Sequence, residues 1–255
     1  MRNLLKVDGV GKNYGVFQAL KNVSFSVDQG KTFAIIGPNG AGKTTLFKVM
    51  TGEVMGSSGR IFLAGEDITK TPADERVHLG LGRTFQIVRV FPELTLMDNL
   101  IVAIEARNRS RRSAGGWLRI KPNSSVLDEA FVRLGYLGLE HKHAAQARHL
   151  ALGDRKRLEL ALTLAMDPMI LMLDEPTAGM SPSERVAIIE LIQKTREELG
   201  VTILLTEHDM DFVFRLSHSL MVMNHGETVF VGTPEEVKAS ELVQQIYLGK
   251  EMAHA

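Results

Sequence analysis

The 255-residue sequence contains no cysteine. That excludes disulfides, thiolate metal sites and a cysteine nucleophile. It also has no excess of either charge, because 30 Lys and Arg residues match 30 Asp and Glu residues. A neutral chain has no global pull toward nucleic acid, and none is expected as a partner. Long apolar runs are missing too. The longest lie near Met169–Leu173 and Val201–Leu205, well short of the roughly 20 residues a membrane helix requires. The apolar stretch in the opening MRNLLKVDGVGKNYG is too short and too broken for a signal peptide. Any role at a membrane would therefore need another chain to supply the span. What remains is the balance of an ordinary globular protein, 44% apolar and 24% charged. The length suits one large domain, or one domain with an inserted lobe.

Short β-rich runs alternate with helical patterns, which predicts an α/β fold with a mostly parallel sheet. Leu20, Val23, Phe25 and Val27 mark an early strand. Thr32–Ile36 is a compact apolar run that ends in a glycine-rich loop. Met169–Leu173 and Val201–Leu205 have the continuous apolar character of buried parallel strands. Between those two runs, Ser181 is placed to cap a helix, with Pro182 at its first position, Glu184 completing a capping box and Gly200 closing it. Thr233-Pro234-Glu235-Glu236 repeats the same start signal. Residues 88–152 differ in character: Thr95–Ala106 and Ser124–Leu137 read as helices. The loop between them carries Arg109, Arg111, Arg112, Arg119 and Lys121 and no acid. That loop is either a solvated surface segment or a contact for a partner or for anionic lipid head groups. The expected organisation is one domain, with a core of about 1–87 and 153–255 and a helical insertion of about 88–152.

The strongest signal is Gly37-Pro38-Asn39-Gly40-Ala41-Gly42-Lys43-Thr44, which matches G-x-x-x-x-G-K-[ST] in full and follows a predicted strand. Gly40 and Gly42 permit backbone conformations that turn successive N–H groups inward. Together with the following helix N-terminus, those donors form an anion cradle. Lys43 can reach the β- and γ-phosphates, the Thr44 hydroxyl can ligate Mg²⁺, and Thr45 can add a phosphate contact. A second half-site lies at the end of the Met169–Leu173 run. There Asp174 is placed to hold magnesium through water, and Glu175 to act as general base on an attacking water. The implied ligands are ATP and Mg²⁺.

With both motifs in place, the sequence resembles the nucleotide-binding subunit of ABC transporters over essentially its full length. The resemblance implies a P-loop core with an N-terminal antiparallel β part and an inserted α-helical subdomain. It also implies a catalytic set of Glu175, His208 and Gln86. Gln86 would sense magnesium and the attacking water, and His208 would touch the γ-phosphate. Tyr14 resembles the aromatic that stacks on adenine, and Ala178-Gly179-Met180-Ser181 the loop that crosses between paired subunits. Leu150-Ala151-Leu152-Gly153-Asp154 stands where the family has L-S-G-G-Q, a signature that completes the partner subunit's ATP site. Ala151 has no hydroxyl to offer a phosphate, and Asp154 adds a like charge beside one. Gly82–Phe91, the alanine-bearing signature and the ending Gly232–Val237 with Tyr247-Leu248-Gly249 are similar to one type of ATPase subunit in branched-chain amino-acid uptake. That type implies transmembrane permease subunits, a second and different ATPase subunit, a periplasmic binding protein, and a peripheral place on the cytoplasmic face of the inner membrane.

Other cargoes (urea, other amides, lipopolysaccharide) are served by related ATPases, and an ATPase subunit contacts no cargo. A soluble ABC protein acting on ribosomes or DNA is a reading of another class. Such proteins usually carry tandem ATPase domains or a long coiled coil, and this sequence has one phosphate loop and no long heptad run. A regulatory module without turnover is a third reading, opposed by Glu175, Gln86 and His208 together.

Overall fold

The computed structural model describes residues 3–84, 89–111 and 123–248. Its first element is a hairpin of β1 (Asn3–Tyr14) and β2 (Phe17–Asp28), which β4 (Ser58–Leu63) and β5 (Glu66–Asp67) extend into an antiparallel sheet of order β2-β1-β4-β5. A six-stranded sheet forms the centre. It consists of β3 (Thr32–Ile36), β6 (Leu81–Arg83), β7 (Ile170–Asp174), β8 (Thr202–Thr206), β9 (Ser219–Asn224) and β10 (Glu227–Gly232), in the order β10-β9-β3-β8-β7-β6. All its pairings are parallel except the β9–β10 hairpin.

The apolar runs seen in the sequence are the inner strands. β3, β7 and β8 are buried at every position. Because side chains alternate across a strand, each run feeds two cores. Phe33, Ile35, Ile170, Met172, Leu204, Met221 and Met223 pack with the antiparallel sheet. Ala34, Ile36, Leu171, Leu173, Ile203, Leu205, Leu220 and Val222 pack on the opposite face with helices.

Those helices are built on apolar stripes at four-residue spacing. In α3 (Leu96–Arg111) the stripe is Leu96, Leu100 and Ile104, and in α4 (Ser124–Tyr136) it is Val126, Ala130 and Leu134. Two short 3₁₀ turns, Glu140–Lys142 and Ala147–His149, lead to α5 (Leu152–Ala165). Leu158, Ala161 and Ala165 of α5 join the same cluster, so the helical part and the parallel sheet share one continuous core. The longest helix among the described residues, α6 (Pro182–Leu199), starts as its sequence signals predict. The Glu184 carboxylate accepts from the Ser181 N–H (2.9 Å) and hydroxyl (2.7 Å), and Gly200 closes the helix at φ +66°. α7 (Met210–Leu216) and α8 (Pro234–Ala239) precede a last helix, α9 (Glu241–Leu248). Thr233 and Glu236 cap α8 reciprocally.

Two arginines fasten helix ends. α1 (Lys43–Thr51) runs from the glycine-rich loop, and the fully buried Arg76 donates to the carbonyls of Val49 (2.9 Å) and Met50 (2.6 Å) at its far end. Arg76 comes from α2 (Ala73–His78). It answers the carbonyls that a helix terminus leaves unpaired, at the end where a cation is favoured. In the helical part, Arg107 of α3 donates to Glu129 of α4 (2.8 and 2.7 Å), to Asp167 (2.9 Å) and to the Ala165 carbonyl (3.0 Å). Arg133 meets the same acids and the Leu164 carbonyl. The cluster pins α3 and α4 to the end of α5.

Hydrogen bonding from Arg107, then from Arg133, draws the Glu129 carboxyl down to about 2 from its ordinary 4.5. A depressed carboxylate stabilises the fold fully above its unfolded value, and that contribution is lost as pH falls from about 4.5 toward about 2. Denaturant midpoints should therefore show Glu129→Gln less stable than the parent at pH 6, with the gap closing at pH 3. An equal gap at both pH values would contradict the assignment.

Candidate functional site

The glycine-rich loop closes because of what surrounds it. Gly37, immediately after β3, takes φ +149°, and a Cβ there would overlap the Met223 carbonyl oxygen of β9. Gly42 takes φ +101°, and a Cβ would sit 2.9 Å from the Ala19 carbonyl oxygen. Gly40 takes φ +82° with open space around it. The β9–β10 turn, His225-Gly226, buttresses the loop from behind. The Gly226 N–H donates to the Ala41 carbonyl (3.0 Å), and the Lys21 N–H donates to the Gly226 carbonyl (2.8 Å). The loop's own lysine is folded onto it, with Lys43 Nζ donating to the carbonyls of Gly37 (2.6 Å) and Pro38 (3.2 Å).

An open cleft of about 280 Å³ lies over the loop. Asn39, Gly40, Ala41, Gly42, Lys43, Thr44 and Thr45 form its floor, and Glu175 and His208 reach it from the ends of β7 and β8. His208 Nε2 lies 2.9 Å from Glu175 Oε1, so the expected base and the expected histidine are neighbours. Glu175 has a left-handed backbone, φ +48°, which is costly for a residue with a side chain. Asp174, one residue earlier, is buried. Its Oδ1 accepts from the Thr206 hydroxyl (2.8 Å) and its Oδ2 from Arg83 Nη2 (3.1 Å). Arg83 also pairs with Glu53 and donates to the Thr51 hydroxyl (3.2 Å), at the far end of α1.

Tyr14 does not line this cleft. Tyr14 stands opposite Phe17 at the tip of the β1–β2 hairpin, beyond the cleft wall, with the Lys12 ammonium 5.0 Å from its ring centroid. Phe17 and Ala19, just past the turn, are the residues that line the wall. The sequence signal for Phe17 was an apolar aromatic directly after a Gly-containing turn. Gln86 lies outside the described residues, as do Arg112, Arg119, Lys121 and Gly249.

The stretch Leu150–Asp154 does not line the cleft of its own chain. Ala151 is the N-cap of α5 and makes no side-chain cap bond, as a residue without a hydroxyl must. Leu152 is exposed, while Leu150 and Gly153 are buried. The Asp154 carboxylate is paired with Lys142 from the first 3₁₀ turn, so its charge is met within the chain. The sequence reading missed Lys142, Arg83 and Lys156, whose partners are far away in sequence.

The residues suit a nucleotide triphosphate with magnesium. Gly37 and Gly42 are held against neighbouring carbonyls with no room for a Cβ, and residues 39–45, a lysine and two threonines among them, line the same open space. Among the described residues no three of His, Asp and Glu cluster as a metal cage. Magnesium needs none, because it is commonly bound by one or two carboxylates with phosphate oxygens and water. Asp174 is such a carboxylate, and Thr44 adds a hydroxyl oxygen. Among the described residues no helix is long and apolar enough to cross a membrane.

Comparison with known proteins agrees with this chemistry. The profile of the ABC transporter family matches residues 20–178. LivG of Salmonella typhimurium, a high-affinity branched-chain amino acid transport ATP-binding protein, is 39% identical over 97% of this chain and 98% of its own length. BraF of Pseudomonas aeruginosa, described in the same words, is 37% identical over 98% of this chain and 99% of its own. Among solved structures, the ADP conformation of an ATP-binding cassette of an ABC transporter superposes with a TM-score of 0.85 at 32% identity. It covers 98% of this chain and all of the other.

The crowding around Gly37 sets up a comparison. Gly37→Ala should lower stability by more than about 1 kcal/mol and abolish nucleotide binding in calorimetry. Gly40→Ala, strained in backbone but free of overlap, should be the milder change in thermal unfolding. The reverse ranking would show that the loop is not closed against β9.

Proposed function

The chain belongs to the ABC transporter family, and from that premise we propose that it binds and hydrolyses ATP to power an importer, with branched-chain or other hydrophobic amino acids as cargo. One observation carries the enzymatic part: the phosphate cradle, Lys43, Glu175 and His208 meet in a single cleft. The cargo rests on the relatives, which are named for branched-chain amino acid transport.

In this reading the loop amides at 40–44 and the start of α1 hold the β- and γ-phosphates. Lys43 exchanges its bonds to the Gly37 and Pro38 carbonyls for phosphate oxygens. Phe17 offers its ring to the base, the part first expected of Tyr14. Thr44, Gln86 and, through water, Asp174 would hold magnesium, which would neutralise the phosphate charge. Glu175 takes a proton from the attacking water as its oxygen bonds to the γ-phosphorus, and ADP leaves. His208, beside Glu175, contacts the γ-phosphate. Leu150–Asp154 lie away from their own chain's cleft, which supports their service to a second ATPase subunit's site. We take that subunit to be a different chain. Residues 88–152, inserted in a core of 1–87 and 153–255, would be the lobe that meets transmembrane permease subunits. A periplasmic binding protein would deliver cargo on the far side. The chain would sit peripherally on the cytoplasmic face of the inner membrane.

Lys43→Ala should remove Mg-ATP binding measured by calorimetry. Glu175→Gln should keep binding and slow hydrolysis roughly 10²–10⁴-fold; normal turnover in that variant would rule out the base. Deleting the gene should abolish uptake of labelled leucine while leaving an unrelated nutrient untouched, and unchanged leucine uptake would refute the cargo.

A further inference from the structure

The turn carrying Glu175 is held from two directions. The end of β8 supplies one: the Glu175 N–H donates to the Thr206 carbonyl (3.0 Å), and the Thr177 N–H and hydroxyl donate to Glu207 Oε1 (2.8 and 2.6 Å). Thr206 is the last residue of β8, and Glu207 follows it directly. The other comes from α5. Lys156, one turn into that helix, points its ammonium into the carbonyls of the same turn. It donates to Pro176 (2.8 Å) and Ala178 (2.8 Å), with the Glu175 carbonyl at 3.4 Å. An ammonium has three protons and no acceptor, and here the carbonyls of one turn gather around it. The bonds are partly buried, where an ionic hydrogen bond counts for more than in water. Burial lowers the Lys156 pKa, while Glu207, Glu159 and Glu175 oppose that shift.

The turn needs such a clamp. The left-handed backbone of Glu175 persists only where its surroundings over-determine it. The first turn of α5 also lies directly on the segment that follows. A Cβ on Gly179 would be 3.2 Å from Leu152 Cδ2, and one on Gly153 would be 2.8 Å from Glu184 Oε1.

We propose that Lys156 is a positioning residue for hydrolysis: its ammonium ties the Glu175 turn to the helix that begins at residues 150–154, so the pose of the general base depends on where α5 sits. The inference rests on the reading of Glu175 as base. It links the cleft of this chain to the surface that would complete another subunit's site, through one side chain and without a change in the sheet.

The test uses the transporter complex purified through a tag on the full chain. Lys156→Met should lower turnover by between about 10- and 100-fold, with KM and the Mg-ATP Kd both within about twofold. Lys156→Arg, which keeps the charge and the donors, should recover most of the rate. Added to Glu175→Gln, Lys156→Met should cost less than about twofold more, because both act through one group. Full turnover in Lys156→Met, an equal loss in the Glu175→Gln background, or affinity falling in step with rate would each overturn the proposal. Should Lys156→Met fail to fold, Lys156→Gln carries the same expectations. Fast turnover in Glu175→Gln alone would instead sink the base, which keeps the two failures distinct.

Discussion

Because β3, β7 and β8 run parallel and in register, Ile35 and Asp174 both lie opposite Thr206. The residues that follow each strand therefore emerge at one edge of the sheet: the glycine loop after β3, Glu175 after β7 and His208 after β8. Ligands in open α/β sheets bind at that carboxyl edge. A slip of one residue in any of the three strands would send each apolar side chain to the wrong core. It would also withdraw that strand's polar group from the cleft. Sealing both faces of the sheet with apolar clusters thus fixes chemistry as well as stability.

Much of this was legible in the sequence, and the reason differs from element to element. Thr32–Ile36 is found as a strand with those bounds because a buried parallel strand reads as a nearly continuous apolar run and a glycine loop stops it. The two later strands are displaced by a single residue, since Asp174 and Thr206 continue the ladder although they are polar. The α6 start was readable because a capping box is local chemistry. What escaped depends on tertiary placement. Tyr14 and Phe17 flank one turn, and only the twist of the hairpin decides which ring meets the cleft. Asp154 looked like an uncompensated charge beside a phosphate. Its compensation by Lys142 depends on a 3₁₀ turn that no periodicity announces. Arg83 carried no signal beyond its place in Gly82–Phe91, whereas its guanidinium bridges Glu53 and Asp174, which are distant in sequence.

The helical part shows how a structural unit can be separate in sequence character and yet continuous in packing. Its stripe residues merge with the sheet's helical face in one cluster, and Arg107 and Arg133 lock its two long helices to the end of α5. α5 is accordingly held at both ends. At its C-terminus it is fixed by the arginine cluster, and near its N-terminus it is bonded through Lys156 to the turn beyond β7. Displacing such a helix moves both attachments together, because packed interiors transmit strain instead of absorbing it.

The crowding of Gly37 against the Met223 carbonyl has a consequence for synthesis. The cradle's sequence is complete by Thr45, but the wall that shapes it belongs to β9 and the Gly226 turn, most of the chain's length later. A nascent chain leaving the ribosome would carry the whole glycine-rich motif long before it could grip a phosphate. Nucleotide would then be excluded from stabilising early folding intermediates, and could reward only a chain whose final hairpin had docked.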